Sequence, residues 1–121
     1  MAQQHKLGKR NTTVSRTKAG IVRVTYHSTD VVTVYPSGTV VLDTGGWRTA
    51  TTKTRMNQAA NQLELGFSVH QQDYDWFVSF GENRWVKMQG TGFLLRSNLT
   101  AETGDAYEMH ELAEQENSVI A

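Results

Sequence analysis

Short runs of β-branched and aromatic residues recur between Ile21 and Leu95, and one stretch among them carries apolar residues at helical spacing. That pattern restricts the chain to a fold made mainly of strands with a helix packed on them. Ile21, Val22, Val24 and Tyr26 form the first run, Val31 to Tyr35 the second, and Thr39 to Leu42 the third. Such residues suit a pleated, half-buried surface. Tyr35-Pro36-Ser37-Gly38-Thr39 joins the last two as a short hairpin, since Pro presets one turn dihedral and Gly takes positive φ at no steric cost. Met56, Ala59, Ala60 and Leu63 then recur at helical spacing, with Thr51 or Thr52 as N-cap and Gly66 as the stop. They predict one amphipathic helix of about three turns. Phe67–Gln71, Asp75–Phe80, Arg84–Met88 and Gly92–Arg96 read as further strands, with Gly81-Glu82-Asn83 as a hairpin turn. Between Thr103 and Glu114, Ala106, Met109 and Leu112 fall three apart and predict a short polar helix. Consecutive elements pair through short connections, so no parallel crossover is required. The expectation is an α+β domain: a curved antiparallel sheet of about six or seven strands packed on one central helix, with a short C-terminal helix.

A chain of 121 residues, 38% apolar and 20% charged, has room for one core and the composition of a globular protein. No apolar run approaches the roughly 20 residues of a membrane helix. The segment Met1–Arg10 lacks the apolar stretch of a secretory signal, so the expected setting is cytoplasmic, without a membrane partner. The absence of cysteine excludes disulfides, thiolate metal sites and Cys nucleophiles. The formal net charge of zero conceals a polarity along the chain. Residues 1–18 carry Lys6, Lys9, Arg10, Arg16 and Lys18 and no acid, whereas residues 99–121 carry Glu102, Asp105, Glu108, Glu111, Glu114 and Glu116 and no base. The sequence therefore divides into a basic N-terminal arm (1–19), a single α+β domain (20–98) and an acidic C-terminal tail or short helix (99–121). A basic arm can neutralise nucleic-acid phosphates, and an acidic tail can mimic that polyanion or shield a basic face. The same polarity fits a homodimer, the arm of one copy on the tail of another, and it fits closure within one chain equally well.

The junction from Gly45 to Asn57 is the chemically densest part of the chain. It places Gly45, Gly46, Trp47, Arg48, Thr49, Thr51, Thr52, Lys53, Arg55 and Asn57 between a strand and a helix start. Unpaired N–H groups and the positive dipole end make such a start a site for anions, and Thr, Lys and Arg side chains add donors that phosphate accepts. Arg48, Lys53 and Arg55 also read as a solvated helix start, but cations there oppose the dipole by a few tenths of a kcal/mol or more, which an anionic ligand would relieve. Trp47 reads either as a core aromatic or as a stacking platform. Neither a dinucleotide nor a P-loop glycine pattern is present.

Two further groups have alternatives of their own. His27 and Asp30, with Arg48, have the residue types of a general acid–base couple that cleaves a phosphodiester, or else Asp30 caps the Ser28-Thr29 backbone and His27 is an edge residue. His5, His70 and His110 lack ligand spacing, so neither metal nor cofactor is expected. In the strand 75–80, Trp76, Val78 and Phe80 share one side while Phe77 takes the other. If that other side also carries Arg84 or Trp85, it is an exposed surface for single-stranded nucleic acid or a protein, unless the helix and tails cover it.

The stretch His27-Ser28-Thr29-Asp30-Val31-Val32-Thr33-Val34, then Pro36-Ser37-Gly38, then Leu42 to Asn57, resembles a family of small proteins of tailed bacteriophages. In that family a His-x-Thr-Asp strand is followed by a Gly-Gly-Trp-Arg-Thr segment and an Arg-Met-Asn helix start. The resemblance covers about residues 26 to 57 and brings no established activity. It implies an accessory phage protein in the cytoplasm of a bacterial host, working by direct binding more than by catalysis. The partner implied is a host or anti-phage defence protein; the junction from Gly45 to Asn57 and the basic arm, read for themselves, add a phosphate-bearing ligand as the means, a phosphorylated small molecule or the partner's nucleic acid. Direct nucleic-acid binding is the first alternative, and a small His-dependent phosphodiesterase or nuclease the second.

Overall fold

The β-branched runs fold into two antiparallel sheets. In the computed structural model, which describes residues 11–120 and side-chain surroundings as far as residue 117, the order is β1 (Thr12–Arg16), β2 (Val22–Tyr26), β3 (Thr29–Val34), β4 (Val40–Asp43), α1 (Ala50–Gln62), β5 (Phe67–Gln72), β6 (Asp75–Phe80), β7 (Arg84–Lys87), β8 (Gly92–Leu95), β9 (Ala101–Gly104) and α2 (Ala106–Ile120). One sheet has six strands in the order β1-β2-β3-β4-β8-β9, and the other has three in the order β5-β6-β7. The class is α+β, as expected.

Burial explains the division. Strands β4 and β8 are continuous apolar runs: Val40, Val41 and Leu42 on one, Phe93, Leu94 and Leu95 on the other, all buried. Neighbouring residues of a strand point to opposite sides, so both sides of the six-stranded sheet must be covered. On one side Val32, Val40, Leu42, Phe93 and Leu95 meet Met56, Ala59 and Ala60 of α1 together with Phe67, Val69, Trp76, Val78 and Phe80 of the small sheet. On the other side Val41 and Leu94 meet Met109 and Ala113 of α2, beside Tyr35. Strand β6 behaves differently. Trp76, Val78 and Phe80 are buried while Asp75, Phe77 and Ser79 are only half-buried, the alternation of a sheet covered once.

The structure departs from the sequence reading at three places. Thr12–Arg16 is a strand paired with β2 over five residue pairs, and Ala101–Gly104 is a strand paired with β8, so the sheet reaches beyond residues 20–98 on both sides. Both strands are poor in apolar residues and were invisible to a periodicity argument. The C-terminal helix starts at Ala106 and runs for 15 residues, longer than the short helix predicted, and it lies on the sheet rather than apart from it. The helix α1 begins one turn signal earlier than expected: its N-cap is Thr49, whose side chain accepts from Thr52 N–H, not Thr51 or Thr52. Of the basic arm, Arg16 and Lys18 are exposed, while Lys6, Lys9 and Arg10 lie outside the described residues. No helix among the described residues is long and apolar enough to cross a membrane.

Polar bonds fix α2 in place. The Ala106 N–H donates to Thr91 Oγ1 (3.0 Å), Ser37 N–H donates to Asn117 Oδ1 (3.2 Å), and Arg96 Nε donates to both carboxylate oxygens of Glu116 at 3.0 Å while its other nitrogens reach Glu102 and Thr100. Tyr35 Oη lies 2.8 Å from His110 Nδ1. Burial pushes the Tyr35 hydroxyl up to about 12 and holds the His110 imidazole below its ordinary value, so both partners of this hydrogen bond are held in their neutral forms. The Arg96 hydrogen bonds hold the Glu116 carboxyl below the usual carboxylate value.

Both depressed groups act in the same direction. Below the unfolded value of 6.5 for His110, and again below 4.5 for Glu116, the unfolded chain binds protons that the folded one resists. Stability is therefore fully present near pH 7 and falls in two steps as the pH drops through those values. Thermal melts between pH 7.5 and about 4 should show the midpoint falling, and His110→Gln should remove the upper step and leave the lower one.

Candidate functional site

The two-residue turn between β2 and β3 and the loop between β4 and α1 pack together at one end of the six-stranded sheet. His27 holds the turn at φ 56°, a left-handed conformation that histidine tolerates better than most residues, and its N–H donates to Asn11 O at 2.8 Å. In the facing loop Gly45 N–H donates to Asp43 Oδ1 (2.7 Å), Gly46 N–H to Thr44 Oγ1 (3.2 Å) and Trp47 N–H to Thr44 O (3.0 Å). Gly45 has φ 65°, and a Cβ there would sit 2.5 Å from Thr29 Oγ1, so glycine is required twice over. Gly46, at φ 84°, faces open space.

Between turn and loop lies a cavity of about 290 Å³, lined by Tyr26, His27, Ser28, Thr29, Val31, Thr44, Trp47, Thr49 and Thr52. The lining residues therefore bring together one indole, one phenol ring, one imidazole and several hydroxyl-bearing side chains, with Val31 among them. Trp47 is 71% exposed, so the indole stands at the mouth and is not a core aromatic. The first turn of α1 opens beside it. Thr49 Oγ1 caps Thr52 N–H at 3.1 Å and Lys53 N–H bonds Thr49 O, while none of the described hydrogen bonds engages the N–H groups of Ala50 and Thr51.

Of the residues singled out in the junction, the structure brings Trp47, Thr49 and Thr52 to the cavity and uses others elsewhere. Arg48 donates through one terminal nitrogen to Met88 O (3.0 Å) and Gly90 O (2.8 Å), and its guanidinium carbon is 6.0 Å from the Trp76 ring centre. It straps the loop to the segment between β7 and β8. Arg55 donates to Gln58 Oε1 (3.1 Å) with its guanidinium carbon 5.4 Å from the Tyr26 ring centre, a cation–π contact behind the cavity wall. Asn57 is the tie between α1 and β5: Nδ2 donates to Val69 O (2.9 Å) and Val69 N–H donates to Oδ1 (2.7 Å). Thr51 is exposed and Lys53 half-buried on the opening turn. The cations of the junction therefore diverge, and none lines the cavity.

The trio His27, Asp30 and Arg48 is not assembled. Asp30 accepts from Thr25 Oγ1 at 2.6 Å and pairs with Arg23 at 3.5 Å, Arg48 holds backbone carbonyls, and no described hydrogen bond or ion pair joins any two of the three. No group of three or more His, Asp or Glu among the described residues is arranged to hold a metal ion.

The small sheet contributes a second exposed feature. Register puts Ser68 opposite Ser79, His70 opposite Phe77, and Ser79 opposite Trp85 on the side away from the core. The His70 ring lies 5.8 Å from Phe77 and 4.2 Å from Trp85, and Trp85 is 59% exposed. His70 and Phe77 are half-buried, so Trp85 is the exposed member of this aromatic group. Lys87 at its margin pairs with Asp75 (3.4 Å), and Arg84 donates to Leu99 O (2.8 Å).

Comparison with protein-family models matches residues 1–101 to the Kyanoviridae Gp96 protein. The chain belongs to that bacteriophage family. The match takes in β1 through β8, both walls of the cavity and the small sheet, and leaves α2 outside. Comparison with curated proteins and with solved structures found nothing that matches. Membership in the Gp96 family thus supplies the phage origin that the resemblance implied, and the site has to be read from its own chemistry.

Two substitutions test how the site is held. Gly46→Ala should cost about 1 kcal/mol for its positive φ alone, and Gly45→Ala clearly more, because the added methyl also meets Thr29. Asn57→Ala should cost roughly 2–3 kcal/mol by leaving both buried backbone groups of Val69 unpaired. Chemical denaturation of the three variants checks the order.

Proposed function

We propose that this phage protein is a non-enzymatic binding protein that acts on a host or anti-phage defence component by recognising a phosphate-bearing ligand, a nucleotide or the nucleic acid its partner carries. The observation that supports this reading is the exposed Trp47 indole at the mouth of a hydroxyl-lined cavity, next to the opening turn of α1. An indole offers a face for a nucleobase, worth roughly 1–3 kcal/mol of stacking. Ser28, Thr29 and His27 offer hydrogen bonds to its edge. The N–H groups of Ala50 and Thr51, at the positive end of the helix dipole with Lys53 one turn on, suit the phosphate. A ligand bound in this way would meet donors and a stacking surface but no general base aligned with an acid, which favours recognition over cleavage.

A second reading, direct binding of single-stranded nucleic acid, draws on the exposed Trp85 and the half-buried His70 and Phe77 beside it on the small sheet. The two readings use different tryptophans. In a Trp85→Phe background, which leaves Trp47 and the buried Trp76, saturable quenching by adenosine nucleotides is expected. Trp47→Ala should weaken binding by about 5-fold or more, and Lys53→Ala should lower its salt dependence. Emission unchanged at millimolar nucleotide would sink the cavity reading. Oligodeoxythymidine binding that is lost with Trp85→Ala and kept with Trp47→Ala would favour the second.

A further inference from the structure

The cavity beside Trp47 offers a phosphate no fixed cation of its own. Among the described residues that line it there is no Lys, Arg, Asp or Glu, so its interior suits the uncharged part of a nucleotide. Arg48 holds Met88 O and Gly90 O, Arg55 holds Gln58 and lies over Tyr26, and Lys53 is the junction's one cation whose side chain has no described partner. A single ammonium at the surface contributes little to the binding of several phosphate charges.

The N-terminal arm meets the fold at the rim of this cavity. Asn11 O accepts from the N–H of His27, a lining residue, at 2.8 Å. Thr12 stands opposite Tyr26, a second lining residue, on the side of the sheet that α1 covers, and it is half-buried while the rest of β1 is exposed. Asn11 is left-handed, with φ 54°, so the chain bends out of the line of β1 at this point. The sequence that leads into it, residues 1–10, carries Lys6, Lys9 and Arg10 and no acid. Arg10 directly precedes Asn11, about 3.8 Å away from Cα to Cα, and Lys6 is at most about 18 Å from it along an extended chain. Chain length therefore lets all three reach the cavity mouth. Arg16 and Lys18, the other cations of the basic segment, follow at the far end of β1, roughly 13 Å or more along the strand from Thr12.

We infer that, with a base in the cavity as proposed above, Lys9 and Arg10, helped by Lys6, bind the phosphates that follow it, from the His27 side, while Lys53 and the opening N–H groups of α1 face them from the other. Arg and Lys differ usefully here: the guanidinium fork takes two phosphate oxygens at once and the ammonium acts as a point charge. Recognition then divides into two separable parts. The cavity reads the ring, and the arm holds the charge.

Tryptophan quenching in the full chain with Trp85→Phe, using adenosine, ATP and a deoxyadenosine hexanucleotide as probes, tests this. Lys9→Ala with Arg10→Ala should leave adenosine affinity unchanged and weaken ATP or the hexanucleotide by about 10-fold or more. The slope of log affinity against log salt should become shallower by about 1 for the probe that is weakened. Whichever of the two loses more identifies the source of the phosphates, a free nucleotide or a strand. Arg16→Ala with Lys18→Ala removes the same charge at the far end of β1 and should change either affinity by less than about 2-fold. Equal losses from the two double variants would overturn the inference, since net charge and not the position of the arm would then be at work. Adenosine that quenches while neither phosphate-bearing probe binds more tightly than it does would also overturn the inference and leave a base-binding cavity standing. Silence from all three probes would overturn the cavity reading itself, and the role of the arm with it.

Discussion

Burial of both sides of the central strands is the constraint on which this structure depends. Phe93 and Leu94 are neighbours in the chain, point in opposite directions, and are both fully buried. Neither α1 nor α2 alone can satisfy such a strand, so the sheet needs the helix and small sheet on one side and the C-terminal helix on the other. Burying that much apolar surface dominates the stability of a chain this size. The loops at the sheet's end inherit their positions from it: Thr44, which leads into the diglycine turn, is buried, and its N–H donates to Thr91 O beside β8.

The site is built by close approach more than by convergence of charge. Gly45 lets the loop lie against Thr29, which brings Trp47 over the turn that His27 holds in a left-handed conformation. The guanidinium groups meanwhile brace the scaffold: Arg48 on two carbonyls, Arg55 over Tyr26, Arg96 between two helix-side and strand-side carboxylates. Planar, always charged and rich in donors, Arg is suited to such bracing, and its presence near a helix start is therefore a weak sign of an anion site. What remains for a ligand is aromatic surface, hydroxyls and backbone N–H groups.

How much of this could be read beforehand follows from the range of each interaction. The hairpin at Pro36-Ser37-Gly38, the helix around Met56 and the alternation along β6 depend on neighbours within a few residues, and all three were legible. The continuous runs Val40-Val41-Leu42 and Phe93-Leu94-Leu95 also carried the message of two-sided burial, but periodicity alone does not tell a strand covered twice from part of a buried helix. Strands β1 and β9 left little apolar trace because each is held mainly by pairing with a neighbour, with Ala101 alone of their residues packed on the core cluster. The roles of Arg48 and Asn57 were out of reach for a related reason. Their partners, at Met88, Gly90 and Val69, are backbone atoms distant in the chain, and backbone atoms are the same in every sequence.

Asn57 deserves its amide for a geometric cause. A strand can slide along its partner by two residues without turning its apolar side to water, so hydrophobic patterning alone leaves β5 with several acceptable settings relative to the helix. One amide donates to the carbonyl and accepts from the N–H of the same residue, Val69, so β5 cannot slide along α1 without first breaking both bonds. Asparagine thus acts as a latch between helix and strand, a task that neither aspartate, lacking the donor, nor leucine, lacking both groups, could perform.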